Sequence, residues 1–413
     1  MALTGNVFDE LKERGFIAQV SDEDSVRKML GGRAITFYVG FDSTASSLHA
    51  GSLVPIMAMM HLRRAGHRAI ALVGGGTTMV GDPSGRTEMR RLLDESLIRS
   101  YGESILAQID RYLHFDGTDA ISANNADWLL SLNYIRFLRE IGRHFSVNRM
   151  LAAESCKLRL EKGLSFIEFN YQLLQAYDFL HLFRTFGCTL QMGGDDQWGN
   201  ILAGIDLIRR VEGAEVQAMT FPLLTTRGGA KMGKSAKGAV WLDPALFSPY
   251  DFYQYWVNCD DRDVGRFLRF FTLLPLDEIR RLEKLKDNEI NGAKRLLAYE
   301  ATKLAHGEDA AGEARAAAAA AFGGSGEKDI TALPTMSVSR ARLEAGISPA
   351  ELFTDIGLTP SRAEAKRLIK QGGLYVNDER IDGLERLLTI KDVGPNGLLL
   401  KAGKKKVFRV VPE

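Results

Sequence analysis

Short apolar runs that stop at glycines and carboxylates set the rhythm of the first two hundred residues. Ala34 to Val39 is such a run, closed by Gly40 and Asp42 as a buried strand closes on a loop. After a turn of small residues, the pattern from Leu53 to Leu62 predicts a helix, and Ala69–Val73 predicts a second strand. Strand 34–39, helix 53–65 and strand 69–73 make a β-α-β unit, hence a parallel sheet with a nucleotide-type crevice. The dinucleotide fingerprint G-x-G-x-x-G is missing, which argues against an NAD enzyme. Val7 to Phe16 predicts a short amphipathic helix, and residues 88–113 and 127–150 read as helices. Phe166 to Phe183 is apolar almost all round, as in a buried helix. It carries one polar row, Tyr171, Gln175 and Asp178, on a single face. Such a stripe is usually solvated. Here Leu173, Leu174, Phe179 and Leu180 hold the other faces, which favours a small pocket suited to an amino acid or similar zwitterion.

Chemistry clusters where these elements end. His49 and Ser52 fall at the N-terminus of the 53–65 helix with Gly51 between them, where unpaired N–H groups attract phosphate. Gly74-Gly75-Gly76 to Gly85 reads as a loop brought close to a ligand, with Asp82 its only charge. Leu190 to Asn200 repeats the logic of a strand end, two glycines and then Asp195 and Asp196. Such carboxylates suit ribose hydroxyls, magnesium or a helix N-cap. Lys231-Met232-Gly233-Lys234-Ser235 lies in a stretch with little apolar anchorage, and two lysines three apart suit closure over a triphosphate. It lacks the upstream spacing of a P-loop.

Beyond Ser248 the pattern is helical as far as an alanine run stopped by Phe322-Gly323-Gly324. Residues 323–347 read as a linker. Pro360 to Lys370 is a helix capped by Ser361, with Arg362, Lys366 and Lys370 stacked as a basic stripe beside Arg367. A strand follows at Leu374–Asn377, then a basic cluster that includes Lys404 and Lys405.

With 413 residues, 45% apolar and 25% charged, the chain is of a size for two or three soluble domains. A net charge of +1 leaves nucleic-acid binding to local patches. Cys156, Cys188 and Cys259 form no C-x-x-C pair, and no histidine spacing suggests a metal site. The acidic N-terminus fits neither a secretory nor a transit signal. No apolar run approaches the ~20 residues of a membrane span, so the expected location is cytoplasmic.

Taken in this order, the motifs resemble those of class I aminoacyl-tRNA synthetases, and among them the bacterial tyrosyl-tRNA synthetase family. His49-Ala50-Gly51-Ser52 corresponds to the HIGH signature and Lys231–Ser235 to KMSKS. Gly81–Gly85, Tyr171–Asp178 and Gly194–Asn200 look like tyrosyl-specific segments. The resemblance implies an α/β fold: a Rossmann-like parallel-sheet catalytic domain over 1–225 and a mobile loop with its connection at 226–247. An α-helical, anticodon-facing domain over 248–322, the 323–347 linker and a small α+β RNA-binding module over 348–413 would follow.

The same resemblance implies roles. Tyr38 and Asp178 would hold the substrate phenol, and Asp82, Tyr171 and Gln175 its ammonium. Gly40, Asp42, Gly194 and Asp196 would face ATP, and Gln197 the reacting carboxylate. Thr44, His49 and Ser52 would serve the phosphates, with Lys231, Lys234, Arg86 and Arg90 as the mobile cations. Arg362, Lys366, Arg367, Lys370, Lys404 and Lys405 would bind RNA. ATP enters as substrate with Mg²⁺, with no tightly bound cofactor. The implied partners are tRNA(Tyr), L-tyrosine and a second copy of the chain, with no membrane. Ser52 stands where HIGH has its second histidine. Val39 replaces a ribose-contacting cysteine of some relatives, and Arg86 a lysine of others. The alternatives are a tryptophanyl-type enzyme and a non-catalytic RNA-binding relative. The latter should have lost the loop lysines or pocket carboxylates, which are all present.

Overall fold

The computed structural model describes residues 5–84, 93–152, 160–161, 163–225, 234–235, 238–322, 335–377, 379–394, 397–403 and 406–413. Contacts group the chain into two units, residues 1–248 with 255–306, and 249–254 with 307–413. The helical stretch expected as one domain over 248–322 is therefore shared between them, with 255–306 in the first unit and 249–254 and 307–322 in the second.

The first unit is built on five parallel strands: β1 Thr36–Asp42, β2 Arg68–Gly74, β3 Ala120–Asn124, β4 Cys188–Gly194 and β5 Gln217–Phe221. β2 is buried after its first residue, which is why it reads as an unbroken apolar run. The spatial order is β3-β2-β1-β4-β5. The chain therefore winds outward from β1 through β2 to β3, then returns to the other side of β1. That reversal opens a crevice beyond the carboxyl ends of β1 and β4, where an open α/β sheet binds its ligand.

Three sequence expectations change here. The glycine-rich segment after β2 is only partly a loop: Gly75–Val80 is a short helix, and residues 81–84 follow it without regular structure. Its first amides are capped from another part of the chain, Gly75 N–H by Asn124 Oδ1 at 3.2 Å and Gly76 N–H by Asn125 Oδ1 at 2.7 Å. A Cβ at Gly75 would overlap Asn124 Oδ1, so these glycines make room for protein rather than ligand. The single helix expected over 127–150 is broken into pieces at Ala126–Leu129, Tyr134–Glu140 and Val147–Ala152. Asn133 restarts the second by accepting from Arg136 N–H. β3, β5 and the helix Glu23–Leu30 are elements that the sequence pattern does not announce.

The buried helix runs Phe166–Phe186, opened by a reciprocal capping box of Ser165 and Glu168 and stopped by Gly187 in the left-handed region. Lys234–Ser235 and Gly238–Ala239 form a two-stranded antiparallel ribbon, β6 and β7.

The second unit carries its own sheet. Its strands are β8 Thr335–Val338, β9 Leu374–Val376, β10 Glu379–Arg380, β11 Leu398–Ala402 and β12 Lys406–Pro412, in the order β10-β9-β11-β12-β8. Helices Pro349–Asp355 and Arg362–Lys370 pack with it around Leu352, Phe353, Ile369 and Leu400. β8 pairs with β12, and the helix Arg340–Ala345 follows it. Part of the segment expected as linker thus belongs to the C-terminal sheet.

A buried ionic cluster fixes the N-terminal helix Val7–Arg14. The Arg14 side chain is 2% exposed and donates to Glu10 at 2.9 Å and to the carbonyls of Arg269, Thr272 and Leu274. His61 Nδ1, on the helix Leu53–Arg64, lies 3.3 Å from the same Glu10 carboxylate. Burial pushes the Glu10 carboxyl up, but the hydrogen bonds and charges of His61 and Arg14 more than reverse this, to about 2 from an ordinary 4.5. A carboxyl lowered in the folded state stabilises the fold above pH 4.5 and loses that contribution as pH falls toward 2. Glu10→Gln should therefore lower the melting temperature at pH 7. The gap to the parent should shrink below pH 4.5 and close near pH 2, as read by thermal denaturation across that range.

Candidate active site

The crevice at the β1/β4 reversal holds a cavity of about 420 Å³. β1 contributes Tyr38, Gly40 and Asp42 to its wall, and β4 contributes Gln191 and Gly194. The Phe166–Phe186 helix turns its polar row, Tyr171, Gln175 and Asp178, into the same space. Ser52, Asp82, Asp196 and Gln197 complete the predicted residues on the wall.

Two buried oxygens mark one part of it. The Tyr38 hydroxyl has no hydrogen-bond partner among the described residues. Burial, then the Asp178 charge, push its ionisation well above the ordinary value. Asp178 is 2% exposed, accepting from Trp128 Nε1–H and from Asn125 Nδ2–H, each at 2.8 Å. Burial raises its carboxyl to about 7, against the two hydrogen bonds and with help from the Asp42 charge.

From Asp178 a chain of hydrogen bonds crosses the cavity wall. Asn125 also donates to Thr77 Oγ1 at 3.0 Å, Thr77 donates to Asp42 at 3.2 Å, and the Tyr171 hydroxyl donates to the same carboxylate at 3.2 Å. A second group joins Asp82 to Gln197, whose Nε2–H donates to Asp82 Oδ2 at 2.6 Å. Burial, then the charge of Asp82, push the Asp196 carboxyl up. Its neighbour Asp195 has a structural task instead, accepting from Gln19 at 2.7 Å and Thr220 at 2.9 Å. At Gly40 a Cβ would meet nothing within 4 Å, so the strand leaves open space there.

His49 caps the turn Ala50–Ser52, its Nδ1 accepting from Gly51 N–H at 3.0 Å. The ring proton therefore sits on Nε2, leaving that nitrogen a donor. Ser52 makes no side-chain cap bond. Thr44 and His49 do not line the cavity. Arg86, Arg90, Lys231, Lys404 and Lys405 lie outside the described residues, and only the backbone of Lys234 is described. In the second unit Lys366 and Lys370 are exposed with no ion pair among the described residues. Arg362 faces Glu351 at 3.6 Å and Arg367 pairs with Glu364 at 2.7 Å. Among the described residues no group of three acidic, histidine or cysteine side chains could hold a metal ion.

A family profile described as tRNA synthetases class I (W and Y) matches residues 30–323, and an S4 domain profile matches 354–393. A curated tyrosine–tRNA ligase of Syntrophus aciditrophicus (strain SB) is 55% identical over 425 residues, with 99% of each chain covered. One of Clostridium botulinum (strain Loch Maree / Type A3) is 53% identical, covering 99% of this chain and 100% of that one. The chain belongs to the tyrosine–tRNA ligases.

Among solved structures, a C-terminally truncated Aspergillus nidulans mitochondrial tyrosyl-tRNA synthetase matches with a TM-score of 0.68 at 31% identity, over 75% of this chain and 92% of that one. A tryptophanyl-tRNA synthetase from Encephalitozoon cuniculi, at 14% identity and TM-score 0.57 over 74% and 86%, shares the fold.

For a tyrosine–tRNA ligase, polar wall or near-wall residues that escape the sequence reading include Thr77, Asn125, Trp128 and Gln191. Thr77 lies in a stretch that reads as a ligand-facing loop, and Asn125 and Trp128 flank the start of a run that reads as plain helix. Only their hydrogen bonds give them a role. Because Trp128 N–H stabilises the ionised form of Asp178, Trp128→Phe should raise that carboxyl further. The pH dependence of kcat/KM for tyrosine, which reports the free enzyme, should then shift to higher pH than in the parent.

Proposed function

We propose that this tyrosine–tRNA ligase seats the substrate phenol between Tyr38 and Asp178, with Asp82, Tyr171 and Gln175 around its ammonium group. The observation that carries this reading is the Tyr38 hydroxyl, buried beside Asp178 with no partner of its own among the described residues. An unmade buried hydrogen bond is unfavourable, and a phenol hydroxyl would satisfy it. Phenylalanine would leave it unmade, and tyrosyl-tRNA synthetases are themselves the established example of such hydroxyl-based discrimination.

The tyrosine carboxylate attacks the α-phosphate of ATP, giving tyrosyl-adenylate and pyrophosphate, and a terminal ribose hydroxyl of tRNA(Tyr) then takes the tyrosyl group. The nucleophile is already an anion, so the first step needs no general base. Gln197 positions that carboxylate. Gly40, Asp42, Gly194 and Asp196 receive the adenosine, where the bare strand at Gly40 leaves space. His49 Nε2–H and Thr44 reach the outer phosphates, and Ser52 stands in for the second HIGH histidine. Lys231, Lys234, Arg86 and Arg90 neutralise the departing pyrophosphate, so catalysis is chiefly positioning and electrostatic. Magnesium arrives with ATP as part of the substrate. Arg362, Lys366, Arg367, Lys370, Lys404 and Lys405 of the C-terminal module hold tRNA phosphates; the S4 match, over 354–393, supports this for the first four.

The working location is the cytoplasm; among the described residues no helix is long and apolar enough to cross a membrane. The active form is a homodimer. Tyr134, Ile135 and Val147 on two short helices, Leu130 just after a third and Phe166 at the start of the Phe166–Phe186 helix are 54–71% exposed, and a second copy of the chain would cover such apolar side chains.

Exchange of labelled pyrophosphate into ATP without tRNA should depend on tyrosine, and not on phenylalanine or tryptophan. Exchange supported by tryptophan would overturn the phenol assignment. Ile135→Glu, at a site 71% exposed, should halve the mass seen by sedimentation at micromolar concentration while leaving the circular dichroism unchanged.

A further inference from the structure

Trp128 delivers an N–H to Asp178, yet its own element does little to fix it. It sits on the one-turn helix Ala126–Leu129, none of whose residues is buried. The indole packs at the margin of the apolar cluster that includes Phe137 and Phe179. What lies across its face is His181: the two rings stack with centroids 4.2 Å apart and planes 15° from parallel. His181 and Asp178 are three apart on the Phe166–Phe186 helix, so they share one face, a turn from each other. The helix thus grips the indole at two points, a hydrogen bond to the N–H edge at 2.8 Å and an imidazole against the ring face. His181 is held in turn from its own helix, with Nε2 3.4 Å from Thr185 Oγ1 and the Tyr177 ring 6.4 Å away.

We infer that His181 is a positioning residue for tyrosine selection, acting through the stacked Trp128 ring on the direction of the Asp178 carboxylate. His181 is not on the cavity wall, so the effect passes through the indole. A single N–H···O bond fixes the distance from indole to carboxylate but leaves the ring free to rock about it, and the stack removes that freedom. With Trp128 N–H in place, one Asp178 oxygen is occupied from a defined side and the carboxylate plane is set. Asn125 still holds the other oxygen at 2.8 Å, so without the stack the carboxylate tilts about that anchor, and the lone pair needed by the phenol is aimed less well. The adenylation chemistry, at the opposite end of the amino acid, is not touched. The inference rests on the phenol-binding role proposed for Asp178.

Pyrophosphate exchange by the full chain, with tyrosine and with phenylalanine, tests it in three variants. His181→Ala should raise KM for tyrosine about two- to tenfold, the range of an aromatic stacking contact, and lower the tyrosine-over-phenylalanine ratio by a similar factor. Its kcat should stay within about twofold, because the reacting groups are unmoved. His181→Phe keeps a flat ring against the indole and should restore both KM and the ratio. A role in stability alone would change the melting temperature without changing the ratio, and that result overturns the inference. So does His181→Phe behaving like His181→Ala. Asp178→Asn separates the two levels: it should collapse the ratio, and if it does so while His181→Ala does not, the stack is refuted and the phenol site stands. An unchanged ratio in Asp178→Asn would remove the phenol site and the inference with it.

Discussion

A carboxylate shut away from water has to be supplied with donors by the protein, and in this chain that demand falls on Asp178. Its two partners, Asn125 and Trp128, come from just beyond β3, the far strand of the sheet, while Asp178 itself rides on the helix before β4. Satisfying one buried charge therefore ties together the two sides of the topological reversal. The same Asn125 amide group caps the glycine helix through its oxygen and reaches Thr77 with its nitrogen, so the segment after β2 is drawn into the arrangement as well. Buried polar groups of this kind are useful only when every member is satisfied. Among the described residues the Tyr38 hydroxyl is left without a partner, as are the side-chain oxygens of Gln175 and Gln191 on the same wall.

Parallel sheet and crevice were legible because buried parallel strands are continuous apolar runs, and their ends are marked by residues such as Gly40, Gly74 and Gly194. The Tyr171, Gln175 and Asp178 row was legible because helical spacing alone puts it on one face. What escaped had no periodic signature. β3 is half polar, Ala-Ile-Ser-Ala-Asn, and pairs with only one neighbour, so its pattern is weak. Gly75 and Gly76 carry low helix propensity and form a helix only because Asn124 and Asn125, nearly fifty residues away, cap it; no local reading contains that information. The opening strand of the C-terminal sheet, Thr335–Val338, is separated from its partner β12 by some seventy residues and looks like spacer in the sequence.

Arg14 plays for the scaffold the part that Asp178 plays for the site. Its guanidinium satisfies carbonyls at the end of the Val264–Phe271 helix and the carboxylate of Glu10, which in turn meets His61. His61 lies on the helix that begins just after His49 and Ser52. The turn at His49–Ser52 is thereby braced from behind by this cluster, so it is held by rigid elements rather than by loops alone.

Asn125 has a consequence for anyone who would redirect the enzyme to a different side chain. Its amide serves the carboxylate proposed to meet the phenol and also the backbone of a helix that follows the neighbouring strand, so the proposed recognition and the architecture draw on one functional group. Replacing Asp178 to welcome an apolar amino acid would orphan an N–H of the same amide whose oxygen caps the glycine helix. The productive changes are coupled ones, in which positions 125 and 178 move together and the cap at Gly76 is rebuilt by some other acceptor.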